Sequence, residues 1–103
     1  MKKCLACGMP LIKPEDCANH DLNADFCIHC VNEQGEVKSA EEIFQGGVEF
    51  FIAATGVNRE LAKKLTRRNM NSLPYWQNKN EICLQGEEAS DEEFQMAMEK
   101  FNN

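Results

Sequence analysis

The sequence has no apolar run long enough to cross a bilayer. Its longest, VEFFIAATGV at residues 48–57, is only ten residues and contains Gly56. The opening MKKCLACGMPL has two lysines but lacks the apolar stretch of about 7 to 15 residues that a secretory signal carries behind its basic start. A cytoplasmic protein without membrane attachment is the expectation. HExxH, a P-loop, GxSxG and the glycine fingerprint of dinucleotide sites are all missing, so an enzyme is not expected. Positive charge is also short: the formal net charge is −6, a poor match for phosphate backbones unless charge is segregated. Residues 1–38 are poor in large apolar side chains, and a segment of roughly 40 residues cannot usually hold together by burial alone. There is no low-complexity tract and no internal repeat apart from paired cysteines.

What the first thirty residues do hold is cysteine. CLAC (Cys4, Cys7) and CIHC (Cys27, Cys30) are two CxxC pairs with 19 residues between them. In a reducing compartment such pairs point to a metal site rather than to disulfides. A CxxC turn aims two sulfurs at one point, and two facing turns supply four thiolates in tetrahedral array, the pattern of a structural zinc site. One Zn2+ per chain on Cys4, Cys7, Cys27 and Cys30 is expected, with iron on the same ligands as the alternative. Gly8 after the first pair lets backbone N–H groups turn toward the Cys4 sulfur.

A third pair, Cys17 and His20 in CANH, leaves three readings open: no ligand role, a substitute ligand, or part of a second site. Ligand counting favours the first. Cys17, His20 and His29 make only three ligands, and His29 inside the CIHC turn is expected to point outward. Cys83, isolated and flanked by apolar residues, reads as a small core residue.

The expected fold is small α+β, with three segments. Residues 1–38 form a zinc ribbon of short β-hairpins, marked by the Cys7–Gly8 turn, Pro10, Pro14 and NEQGEV at 32–37. Residues 39–78 form an antiparallel helix pair. Ser39 with Glu42 is a capping box, and Ala40, Ile43, Phe44, Gly47, Val48, Phe50, Phe51 and Ala54 make one apolar stripe, with Gly47 placed to permit close packing. Gly56 stops this helix and Asn58 caps the next, whose Leu61, Ala62 and Leu65 face inward; Pro74 ends it, and Leu73 and Trp76 pack back on the core. Residues 79–103 form an acidic linker and a C-terminal amphipathic helix. EICL at 81–84 is expected to be extended or a short strand, followed by a Ser90–Glu93 capping box and a stripe of Phe94, Ala97, Met98 and Phe101.

CLACGMPLIKPED and FCIHC resemble a bacterial and archaeal zinc-ribbon family that opens with CxxCGMP and reaches a second CxxC through a polar loop. LAKKLTRRNMNSLPYW resembles that family's later segment, with its Leu-x-x-Trp pattern at Leu73 and Trp76. The resemblance implies a zinc site on the four cysteines and no established activity. Some relatives join the ribbon to transcription-regulator domains, which implies a regulatory setting. After Gly8 the loop between the CxxC pairs has no glycine, where the family's commonly has one, and the acidic tail lies outside the resemblance.

Two partner classes follow. The ribbon and the amphipathic helices suit an interaction module for an unidentified protein partner or a homodimer, although each apolar stripe equally serves the chain's own core. The helix after Asn58 puts Arg59, Lys63, Lys64, Arg67 and Arg68 on one face, the feature that favours a nucleic-acid partner. The acidic total and the absence of aromatic residues in that patch count against it. A thiol redox sensor at Cys17 is the third expectation, since a nearby imidazolium favours thiolate.

Overall fold

The computed structural model describes residues 2–102, with the side chains of Phe101 and Asn102 left aside. Helices dominate, and regular β-structure is confined to the N-terminus, where strands β1 (Lys2–Lys3) and β2 (Pro10–Leu11) pair antiparallel with Lys2 opposite Leu11. The rest of the ribbon is built from one-turn 3-10 segments at Pro14–Asp16, Ala18–His20 and Ile28–Cys30, joined by isolated bridges between Cys17 and Cys27 and between Val31 and Val37. The second bridge closes the NEQGEV turn, where Asn32 Oδ1 accepts from the Gln34 and Glu36 N–H groups. The ribbon therefore has fewer extended residues than its turn signals suggest. Its loops are tied side by side rather than laddered.

Helix α1 (Ala40–Thr55) begins where the sequence places it: the Glu42 N–H donates to Ser39 Oγ at 3.2 Å, and the Ser39 N–H donates back to Glu42 Oε1. It ends at Gly56, left-handed at φ +73°, whose N–H donates to Ile52 O. The buried stripe is Ala40, Ile43, Phe44, Val48, Phe51 and Thr55. Phe50 and Ala54 fall off it; Phe50 is 49% exposed and meets Phe51 edge-on. A broad sequence stripe overstates the buried arc, because adjacent residues diverge by about 100° around a helix.

Three residues later, the Leu61 N–H donates to Asn58 Oδ1 at 2.8 Å and starts helix α2 (Arg59–Asn71), which packs along α1. Ala62, Leu65, Thr66 and Met70 are buried and Leu61 is half-buried. The helix stops at Asn71, short of Pro74, with Ser72 Oγ donating to Asn69 O. Pro74 opens a one-turn helix, α3 (Pro74–Gln77), which its fixed φ favours at a first position. Trp76 is buried there and Leu73 is half-buried.

The 81–84 segment, expected to be extended or a short strand, is instead a 3-10 turn at Ile82–Leu84. Among the described residues it has no strand to pair with, and its backbone is taken up by α2: Arg67 Nε donates to Cys83 O and Asn71 Nδ2 to Leu84 O. Helix α4 (Asp91–Asn102) follows a Ser90–Glu93 capping box and lies against α1. The Ser90 N–H, and more weakly Lys64, hold the Glu93 carboxyl below its ordinary range. Ala97 is buried and Phe94 and Met98 are half-buried; the expected fourth stripe position, Phe101, falls outside the described side chains.

The basic face of α2 is not left open. Arg59 pairs with Glu49, Lys63 with Glu60, Lys64 with Glu87 and Arg68 with Asp91. Arg67 and Arg68 also donate to Glu87 O and Ala89 O, and Arg68 lies 4.5 Å from the centre of the Phe94 ring. The acidic segment thus runs along Lys64, Arg67 and Arg68, while Arg59 and Lys63 pair with acids of α1 and of α2 itself. No helix among the described residues is long and apolar enough to cross a membrane.

Candidate metal centre

The first CxxC turn is closed by the Gly8 N–H donating to Cys4 O at 2.9 Å, with Gly8 at φ +81°, a conformation that glycine adopts without penalty. The Cys4 N–H donates to Met9 O at 2.8 Å. In the second, the Cys30 N–H donates to Cys27 O at 3.1 Å. A hydrogen bond from the Leu5 N–H to Asp25 O draws the two turns together. The outcome is a cluster in which the sulfurs of Cys4, Cys7, Cys27 and Cys30 all lie within 4.8 Å of one another.

The chemistry of that donor set fits a metal ion. All six cysteines are free thiols. The Cys7–Cys27 and Cys27–Cys30 sulfurs are 3.6 and 3.5 Å apart, too far for an S–S bond of about 2.05 Å. Four thiolates at about 2.3 Å from a tetrahedral zinc are separated by about 3.8 Å, so these sulfurs already stand near ligand spacing. Cys4, Cys27 and Cys30 are buried and Cys7 is half-buried.

Proton occupancy reflects the crowding. The Cys4 thiol is held well below its ordinary value, chiefly by the Cys27 thiol donating to it and then by those of Cys30 and Cys7. Cys27 is lowered to about 7, chiefly by Cys30. Cys7 and Cys30 are pushed up, each chiefly through its hydrogen bond with Cys27. Four sulfurs so close cannot all ionise by themselves, because each thiolate makes the next harder to form. A divalent cation reverses that order. Backbone donors assist, though not as expected: the turn after Gly8 gives the Met9 N–H to the Cys7 sulfur, while the Cys4 sulfur receives the Cys27 N–H.

Cys17 and His20 stay out of the cluster. Cys17 is 0% exposed, donates to Lys13 O at 3.4 Å, and sits in the backbone bridge behind Cys27. Burial raises its thiol first, and Asp16 and Asp21 raise it further, the opposite of an activated thiolate. His20 and His29 are exposed, and His20 follows Asn19 in a left-handed turn with φ +55° at both. Among the described residues, no second group of three or more His, Cys, Asp or Glu donors converges. Cys83 is half-buried against the core, its thiol raised by burial and then by Glu81.

Two residues near the centre carry more than their spacing indicates. Trp76 Nε1–H donates to Ala6 O at 2.7 Å, and Asn69 Nδ2–H donates to Cys7 O at 3.0 Å. The available signal was that a buried indole N–H needs an acceptor.

The fold and the four-thiol cluster define a small metal-binding α+β protein of the zinc-ribbon class. A family model described as "Putative zinc ribbon domain" matches residues 3–77, about three quarters of the chain, and the chain belongs to that family. No curated protein and no solved structure matches it. The four cysteines can hold a metal ion, and the family points to zinc. The matched region ends with α3, so it takes in the helix pair as well as the ribbon; the acidic segment lies beyond it.

Proposed function

We propose that this chain is a cytoplasmic protein-interaction module whose ribbon is held by one Zn2+ on Cys4, Cys7, Cys27 and Cys30. The observation that carries the reading is the pair of matched turns. Each CxxC shows an apolar side chain at its second position, Leu5 at 45% and Ile28 at 37% exposure, while the sulfurs behind them are gathered inward. Ile12 and Leu22 add exposed apolar surface to the same ribbon. Isolated apolar residues on a surface are ordinary, but four on a ribbon of so few residues favour a protein partner over solvent alone. The zinc acts structurally: four protein ligands complete its tetrahedron, so it offers no vacant position for chemistry.

The pairing of the α2 basic face with acidic residues supports a protein partner over nucleic acid. Metal analysis together with affinity capture from native cells tests the reading. One zinc per chain and a protein partner lost in a Leu5→Glu, Ile28→Glu double variant is the expected result. Nucleic acid in the eluate at physiological salt, lost on changing Lys63, Lys64, Arg67 and Arg68 to Glu, overturns it.

A further inference from the structure

The two CxxC turns are held differently. The second is supported within the ribbon, where the Lys38 N–H donates to Cys30 O at 2.8 Å. The first is supported from far along the chain: consecutive carbonyls, Ala6 O and Cys7 O, accept from Trp76 and Asn69, residues 70 and 62 positions away. Leu73 belongs to the same surface, its Cδ2 lying 3.6 Å from where a side chain on Gly8 would begin. Cys7 is also the least enclosed of the four cysteines, so packing alone holds it least.

The geometry points to Trp76 and Asn69 as positioning residues for the metal centre, which set the Cys4–Cys7 turn for metal although neither touches the ion. This rests on the zinc reading above and deepens it. Two carbonyls fixed in succession fix the peptide planes on either side of the Cys7 Cα, and with them the direction of the Cα–Cβ bond that carries its sulfur. Ala6 is fully buried, so without the indole its carbonyl has no water to turn to. Such supports of a ligand typically alter metal affinity by about 10–100-fold when removed.

The test is Zn2+ competition between the full chain and a chelator of known affinity, with Co2+ absorption as the report on coordination. Trp76→Phe keeps the aromatic body and removes the donor. It is expected to hold Zn2+ about 10–100-fold more weakly, with Asn69→Ala weaker in the same direction, both with an unchanged tetrathiolate Co2+ spectrum. Asn58→Ala, which weakens the α2 cap away from the turn, is expected to bind as the wild type does. Wild-type affinity in both Trp76→Phe and Asn69→Ala overturns the assignment. A wild type that binds no metal through four thiolates removes the zinc reading itself. Should Trp76→Phe fail to fold, exchange of the wild-type indole N–H decides. Slow exchange with zinc and fast exchange without it supports the coupling, and equal rates overturn it.

Discussion

Neighbouring residues of one type can have opposite effects, and Gly46 and Gly47 in α1 show why. At Gly46 an added Cβ meets nothing within 4 Å, whereas at Gly47 it comes to 2.7 Å from Thr66 Cγ2. Thr66 cannot easily give way: it is 2% exposed and its Oγ1 donates to Ala62 O at 2.7 Å. Replacing a mid-helix glycine by alanine gains about 0.5–1 kcal/mol. Overpacking a tight contact costs about 1–3 kcal/mol. Gly46→Ala is therefore expected to raise the unfolding free energy and Gly47→Ala to lower it, by about 1 kcal/mol net in each direction, read as opposite shifts of the urea midpoint. A rise in both variants would show that α1 and α2 separate without cost. Helical spacing places Gly47 on the packed stripe, but only the structure supplies the partner, since Thr66 sits on another helix and carries no sequence mark.

Elements were legible in proportion to how locally they are determined. The caps at Ser39, Asn58 and Ser90 and the stop at Gly56 stand as the sequence reads, because each is settled within three or four residues. The 81–84 segment was not legible: its conformation depends on Arg67 and Asn71, more than ten positions away. The basic face of α2 and the acidic tail likewise read as two separate features, although each is the other's neighbour. This pairing separates the work of Arg68 from that of Asp91. The Asp91 carboxylate is 97% exposed, and ion pairs of that kind contribute little. Arg68 has a carbonyl, a ring and a carboxylate to hold. Asp91→Asn is expected to leave the urea midpoint and the amide exchange of α4 unchanged. Arg68→Ala is expected to cost about 1–2 kcal/mol and to speed exchange in residues 91–100 before α1 is affected. Equal effects from the two variants would assign the attachment of α4 to charge alone.

At the scale of the molecule, the ribbon and the helices are parts of one core. Cys4, Ala6, Leu11, Cys27 and Cys30 lie in the same buried cluster as Phe44, Leu65, Trp76 and Ala97. The four-cysteine cluster was legible because CxxC spacing carries its geometry with it; its attachment to the helices was not, because Ala6 and Cys7 offer only carbonyls, which every residue has. A metal bound here therefore acts on the stability of the whole chain, and its pH dependence follows from the thiols. In the metal-free fold Cys7 and Cys30 keep their protons through neutral pH, their values being raised, whereas zinc requires all four sulfurs deprotonated. Binding must then release at least those two protons, and raising the pH must favour the bound form. From about pH 6 to about pH 8 the logarithm of Zn2+ affinity is expected to climb by two or more per pH unit, read by chelator competition on reduced protein. Calorimetry in two buffers of different ionisation enthalpy should count the same protons. The stabilisation by zinc should widen over the same range, because a ligand that binds only the folded state stabilises it in step with its affinity. A flat affinity profile would mean that the cluster is already ionised before metal arrives, and that something other than mutual repulsion sets the order in which these sulfurs lose their protons.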